Sequence, residues 1–360
     1  MARLRPTTCC TILPPIVLAR VAEEGSPEER AAAVRSLAAS AALRTQRVVV
    51  TSVVRQLNLA MADLAFLAPP PGERRTIYDV QHGGNSNLPG KKVRAEGGKP
   101  STDQSVNEAY DGADHTYEYY KNIHGRESLD NRGMELISSV HYGNNFDNAF
   151  WNGSQMVYGD GSGRVLAKNS LTHDIAVIAH EMTHGVTQFT AGLEYSKQSG
   201  ALNESMSDVF GSCVKQYVAG ETADQADWLI GEGILGSALQ GVALRSMKAP
   251  GTAFNYDDQP ANMKDYKDLP DDGDPHHDNG GVHTNSGIPN HAFYLAAVKI
   301  GGHSWEQAGK VWYDALVNKL QPTAQFKDAA KATIASAGEL FGKGKAVEKA
   351  VRAAWKEVGL

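Results

Sequence analysis

The chain has 360 residues, 41% of them hydrophobic and 21% charged, a composition that excludes an intrinsically disordered protein. Its 35 basic and 41 acidic side chains leave a formal charge of −6 with no long basic run, which argues against a nucleic-acid partner. Cys9, Cys10 and Cys213 are too few for a disulfide framework, and no apolar run reaches the ~18 residues that a membrane-spanning helix needs.

Residues 1–47 form a compositional unit of their own. Arg3 and Arg5, followed by the apolar strip from Thr11 to Ala19, imitate a signal peptide, but Pro14 and Pro15 break the helix such a signal needs. Ser26 and Pro27 then open an alanine-rich stretch that reads as a helix to about Leu43. From Val48 to Arg94, β-branched runs at Val48 to Thr51 and Thr76 to Tyr78 are broken by Pro69 to Pro71 and by Gly83 and Gly84, which predicts strands and loops. Val106, Ala109, Ala113, Tyr117 and Tyr120 predict a helix over 104–122, and the runs 136–142 and 149–151 read as strands. Helical periodicity returns over 174–190, and helical patches dominate beyond Gly192. A β-rich half therefore precedes an α-rich half in an α+β chain.

The helix over 174–190 carries His180-Glu181-Met182-Thr183-His184. Positions four apart differ by about 40° of rotation, so both imidazoles project from one face and can reach a single ion. Neutral imidazoles suit zinc, and Glu181 is placed to take a proton from metal-bound water. A catalytic zinc keeps three protein ligands and one open position, and Glu204 supplies the third. Asp208, four residues on, shares its helix face, where a carboxylate can orient a zinc-bound histidine. Gly192 and Gly200 allow the chain to turn between the two helices. Further on, Gly280 and Gly281 permit a tight loop that presents His283, with Asp278 able to orient its ring. Peptide hydrolysis passes through an oxyanion, and His283 suits the donor aimed at it. Taken singly, each feature has an ordinary reading: histidines on a polar helix face, an exposed acid, a satisfied loop histidine. The ligand set would also serve a zinc amidohydrolase, whereas an inactive binding homologue usually loses Glu181 or a ligand.

Taken in order, the segments resemble the thermolysin-like zinc metallopeptidases. The matching runs are Val106 to Gly112, Val140 to Gly143, Asn148 to Gly153, Met156 to Asp160, the His180 to His184 motif, Gly200 to Asp208, Leu244 to Met247 and Asp278 to Gly287. The resemblance implies a two-lobed α+β fold, with a β-rich lobe over 48–190 ending in the zinc-binding helix, a mainly helical lobe over 191–360, and the active site in the cleft between them. It implies one catalytic zinc on His180, His184 and Glu204, with Glu181 as general base. Tyr195 and His283 would be oxyanion donors, Asp278 would stand behind His283, and Asp208 and Asn203 would support the ligands. Asn148 and Ala149 look like the edge strand that pairs with substrate backbone, and Arg245 like the arginine that binds a substrate carbonyl. Leu244 and Val177 look like walls of the pocket for the residue after the scissile bond. The implied activity is that of a neutral endopeptidase cutting proteins or peptides on the amino side of bulky hydrophobic residues.

Ala176 and Lys215 stand where members with a buried calcium pair carry acids, so that pair is expected to be absent. The acid-rich stretch from Asp257 to Asp278 leaves a calcium ion open, although Lys264 and Lys267 interleave it. The run from Ile12 to Leu18 is similar to the pro-segment of the protealysin-like subgroup. Residues 1–47 would then keep a zymogen inactive until cleaved, with Cys9 or Cys10 a candidate contact of its zinc. Such a protein is expected to be monomeric, open to a protein inhibitor, and secreted, or else a cytoplasmic precursor exported without a standard signal peptide.

Overall fold

The computed structural model describes residues 10–42, 72 and 74–360, so the expected strand from Val48 to Thr51 lies outside the described residues. Six short strands, β1 (Cys10–Thr11), β2 (Arg75–Asp79), β3 (Lys91–Ala95), β4 (Leu136–Val140), β5 (Ala149–Trp151) and β6 (Met156–Tyr158), form one sheet in the order β1-β5-β6-β4-β2-β3. β4 runs parallel to both of its neighbours, and the other pairs are antiparallel. Alternation along β5 sends Ala149 and Trp151 into the main core, while Phe150 packs with Val80, Tyr142, Phe146 and Val157 in a second cluster. With apolar clusters on both faces, β5 and β6 are buried at every residue.

Two helices follow β1 in the amino-terminal segment, α1 (Pro15–Glu24) and α2 (27–42). Pro14 sits just outside α1 and Pro15 takes its first turn, where a missing N–H costs nothing. The prolines that spoil a signal helix thus start a different one. Arg20 of α1 pairs with Asp258 at 2.9 Å and Tyr256 donates to Glu24 at 3.0 Å, while Ser36 of α2 accepts from the Asp147 N–H at 3.0 Å. The segment is therefore fastened both to the helical half and to the strand half.

Helix α3 (Gln104–His124) packs on the sheet, opened by Asp103, which accepts from two backbone N–H groups, and closed by Gly125 in the left-handed region. Helix α4 (Ile175–Gln188) begins at an Asp174 cap and is buried from Ala176 to Thr187. A helix apolar around most of its circumference belongs inside the protein, and its polar side chains there need a purpose. Helix α5 (Lys197–Ala219) crosses it closely at Gly211, where a β-carbon would lie 2.7 Å from the Ala176 carbonyl oxygen and 3.5 Å from the His180 β-carbon. Gly192, at φ +59°, makes the turn expected of it. Gly200 does not. It lies inside α5, where a β-carbon would collide with Val282 and the Tyr195 backbone, so it serves close packing.

The remaining chain contains a two-stranded sheet, β7 (Leu229–Ile230) with β8 (Arg245–Ser246), and five helices. The loop expected around His283 is helical: α6 (Asp278–Asn285) runs directly into α7 (Gly287–Ile300). Asp278 to Gly281 all have positive φ, which winds the chain tightly before the regular turn that carries His283. Helices α8 (Ala308–Asn318), α9 (Phe326–Phe341) and α10 (Ala346–Glu357) complete the core, with Trp312 stacked on Trp355 at 6.1 Å.

Because the α4–α5 approach leaves no room for a methyl group, Gly211→Ala is expected to destabilise the protein by about 1–3 kcal/mol. Urea unfolding should show a lower midpoint at unchanged slope. An unchanged midpoint would mean that the two helices do not depend on this contact.

Candidate active site

Helix α4 presents His180 and His184 one turn apart, and α5 presents Glu204, all three buried. His180 Nε2 lies 3.1 Å from His184 Nε2 and 3.4 Å from Glu204 Oε2, and His184 Nε2 lies 3.5 Å from Glu204 Oε1. Zinc bonds of about 2.0–2.1 Å at tetrahedral angles separate donor atoms by about 3.3 Å, so these groups fit one zinc ion. Glu204 Oε2 is buried without a hydrogen bond, a deficit that a cation would relieve. The opposite ring nitrogens are engaged elsewhere. His180 Nδ1 is 2.7 Å from Asp208 Oδ1, and His184 Nδ1 is 2.8 Å from Asn203 Oδ1 and 3.1 Å from Ser207 Oγ. Such contacts orient each ring so that Nε2 faces the common centre.

The charges reinforce one another. Burial works against charge on His180, but Asp208 and Glu204 outweigh it and raise its pKa to about 9. Burial also opposes charge on His283, which Asp278 and Glu204 raise to about 9. Burial alone would raise Glu204, yet His283, His184 and His180 hold it well below the usual carboxylate range. Glu181 behaves differently: burial pushes it up to about 8, with the Glu204 charge adding to the shift and His180 opposing it. A cation at the ligand centre would favour the ionised Glu181 carboxylate and draw its pKa back down, as a general base requires. Its Oε2 accepts the Trp151 N–H at 3.0 Å, and its Oε1 accepts no hydrogen bond.

Two further side chains, Tyr195 and His283, border Glu204. Tyr195, protonated because burial and the Glu204 charge raise its pKa well above the ordinary value, donates to Glu204 and lies 3.2 Å from His283 Nε2. His283 is held by Asp278, whose carboxylate lies 2.6 Å from Nδ1 and accepts the His283 backbone N–H at 2.7 Å.

The amino-terminal segment occupies the space between these groups. β1 pairs antiparallel with β5, Cys10 opposite Trp151 and Thr11 opposite Phe150, and the Ile12 N–H donates to the Ala149 carbonyl at 3.2 Å. The Thr11 carbonyl accepts from His283 Nε2 at 2.8 Å and the Ile12 carbonyl from Arg245 at 2.9 Å. Asn148 accepts the Leu13 N–H at 3.0 Å and donates to its carbonyl at 3.1 Å. Ile12 is fully buried in the apolar cluster that holds Val177 and Leu244. Arg245 grips Asp208 through two hydrogen bonds of 2.9 Å, and the burial that would raise Asp208 is outweighed by Arg245 and His180, which lower it to about 2.

These contacts link His180, His184, Glu204, Tyr195, His283, Asp278, Asp208, Asn203 and Arg245 to one another, and Glu181, Asn148 and Ala149 to the strand region beside them. Val177 and Leu244, by contrast, are placed only in the main apolar core that also holds Ile12. Sequence reasoning missed Asn290, which donates to Asp208 at 2.8 Å, and Gln259, which donates to the His283 carbonyl. Both fall outside the matching runs, Asn290 just past the end of the one that closes at Gly287, and no sequence signal marks them. The backbone N–H of Trp151 was also missed, although Trp151 sits in a matching run. Lys215 lies 2.7 Å from Asp227 and 3.1 Å from Glu232. In the acid-rich stretch, Asp258 pairs with Arg20 and Lys267, Asp272 with His277 and Asp274 with His276. Among the described residues, no three of its side chains converge as metal ligands would.

Residues 56–188 match the thermolysin metallopeptidase catalytic domain and residues 191–360 match the thermolysin metallopeptidase alpha-helical domain. The chain is 44% identical to an extracellular metalloprotease of Pectobacterium carotovorum subsp. carotovorum, over 98% of its own length and 96% of the relative's. It is 48% identical to protease PrtS of a Photorhabdus strain, over 79% of this chain and 76% of that protein. The structure is similar to the precursor of protealysin, a metalloproteinase from Serratia proteamaculans, with a TM-score of 0.82, 44% identity, and coverage of 97% of this chain and 99% of that one. The chain belongs to the thermolysin family and is a zinc-dependent metalloendopeptidase of the protealysin type, made as a zymogen.

Proposed function

We propose that His180, His184 and Glu204 hold the zinc, that Glu181 moves the proton, and that cleavage falls on the amino side of bulky apolar residues. The observation that carries this reading is the substrate-like hold on Thr11, Ile12 and Leu13 by His283, Arg245 and Asn148. Zinc on these ligands supplies a Lewis acid that acidifies water and polarises a carbonyl. Glu181 takes a proton from the attacking water at its unengaged Oε1 and passes it to the departing amine. Tyr195 and His283 donate to the oxygen on which negative charge develops. Ala149 accepts the N–H on the amine side of the scissile bond, Arg245, clamped by Asp208, holds the next carbonyl, and Asn148 holds the residue beyond it. Recognition through main-chain groups is indifferent to sequence, which leaves selection to the apolar surroundings of the residue after the scissile bond, and the burial of Ile12 in the core that also holds Val177 and Leu244 supports them as its walls.

Residues 1–47 act as the pro-segment in this reading, an assignment supported by their occupation of the cleft from Cys10 onward. The extracellular relative supports secretion. Ala176, together with the Lys215 ion pairs, supports an enzyme without the family's calcium pair.

In the mature enzyme, Glu181→Gln should lower kcat by about 10²–10⁴-fold while zinc content stays at one ion per chain. Wild-type turnover would end the assignment of Glu181. Asp208→Asn should weaken zinc binding by about 10–100-fold in competition with a chelator. Undiminished affinity would free Asp208 of its supporting role. Replacing leucine by alanine after the scissile bond of a quenched peptide should reduce kcat/KM by about 10–200-fold. Equal rates would refute the proposed specificity.

A further inference from the structure

We propose that the Cys10 thiolate is the fourth ligand of the zinc in the precursor, occupying the position that water needs. The inference rests on the zinc centre assigned above and goes beyond it by giving latency a chemical lock. Cys10 Sγ, a ring nitrogen of His184 and a carboxylate oxygen of Glu204 all lie within 4.8 Å of one another, and all three residues are buried. Cys10 is 2% exposed and forms no disulfide. An independent observation points to the same ion: Glu204 Oε2, buried beside these groups, accepts no hydrogen bond.

The backbone explains how the sulfur arrives there. Pairing with β5 places Cys10 opposite Trp151, the residue whose N–H is bonded to Glu181. His283 grips the Thr11 carbonyl, and Arg245 grips the Ile12 carbonyl. The Thr11–Ile12 peptide bond therefore lies where a substrate bond would lie, with the cysteine one residue before it. A substrate held so well should be cut. Thiolate is a strong zinc ligand, and a fourth protein ligand turns an open catalytic site into a closed one of the structural type. On binding, the thiol proton passes to solvent as zinc takes its place on sulfur, so the step needs no oxidant and no other reactant. Activation then requires that β1 leave the sheet and carry the sulfur away.

The test uses the full-length Glu181→Gln precursor, which cannot process itself, loaded with zinc for X-ray absorption and with cobalt(II) for optical spectroscopy. The expected result is one sulfur scatterer at about 2.3 Å from zinc and a thiolate-to-cobalt charge-transfer band in the near ultraviolet. Both should vanish in Glu181→Gln/Cys10→Ser, with one metal ion still bound per chain, and both should survive in Glu181→Gln/Cys9→Ser. A Glu181→Gln precursor that binds one metal ion without a sulfur scatterer overturns the proposal, even if the serine variant does not fold. So does a sulfur signal that persists in the Cys10→Ser protein. A precursor that binds no metal at all would instead overturn the zinc centre itself, and this inference with it.

Discussion

The Asp208 carboxylate is the fixed point of the catalytic half of this protein. It is fully buried, and it meets His180 from α4, Arg245 from β8 and Asn290 from α7 while itself belonging to α5. A buried charge is tolerated only when its partners are complete, and removing one partner from such a network costs about 3–5 kcal/mol. The energetic constraint has a geometric result. The same carboxylate that orients His180 also orients the arginine that grips the Ile12 carbonyl, so the paired histidines and the amino-terminal strand are held in one frame of reference.

A second constraint acts through absence. Gly211 lets α5 approach α4 until the histidines and Glu204 converge, and Gly200 does the same for Tyr195 and the turn that carries His283. Both positions lack a side chain because the neighbouring backbone and side chains occupy that space. Placement of the reactive groups therefore depends on small residues that have no chemistry of their own, a common arrangement where preorganisation matters more than flexibility.

Much of the site was legible because its chemistry is local. Two histidines four residues apart announce a helix face, and Glu204 with Asp208 repeats that spacing on the next helix. The roles of Tyr195, Arg245 and Asn148 came instead from family resemblance, since a tyrosine or an arginine alone carries no signature of what it will touch. Asn290 was invisible for a physical reason: its partner Asp208 is 82 positions away, and only folding brings them together. Gly200 was misassigned because a glycine serves a turn and a close helix contact equally well, and sequence does not say which. The loop foreseen around His283 is a helical turn. Pro14 and Pro15 were read as breakers of a signal helix, whereas Pro15 opens α1, since proline is as natural at the start of a helix as it is harmful within one.

The fastening of α1 to the helical half and of α2 to the strand half gives latency a dependence on chain continuity. While the polypeptide is whole, the segment that fills the cleft is tethered to it, and its effective concentration there is independent of how much protein is present. A single cut between α2 and β2 changes the order of that equilibrium from unimolecular to bimolecular. Occupancy of the cleft then falls with dilution, so a nicked molecule that remains blocked in a concentrated store would open as it spreads into a larger volume.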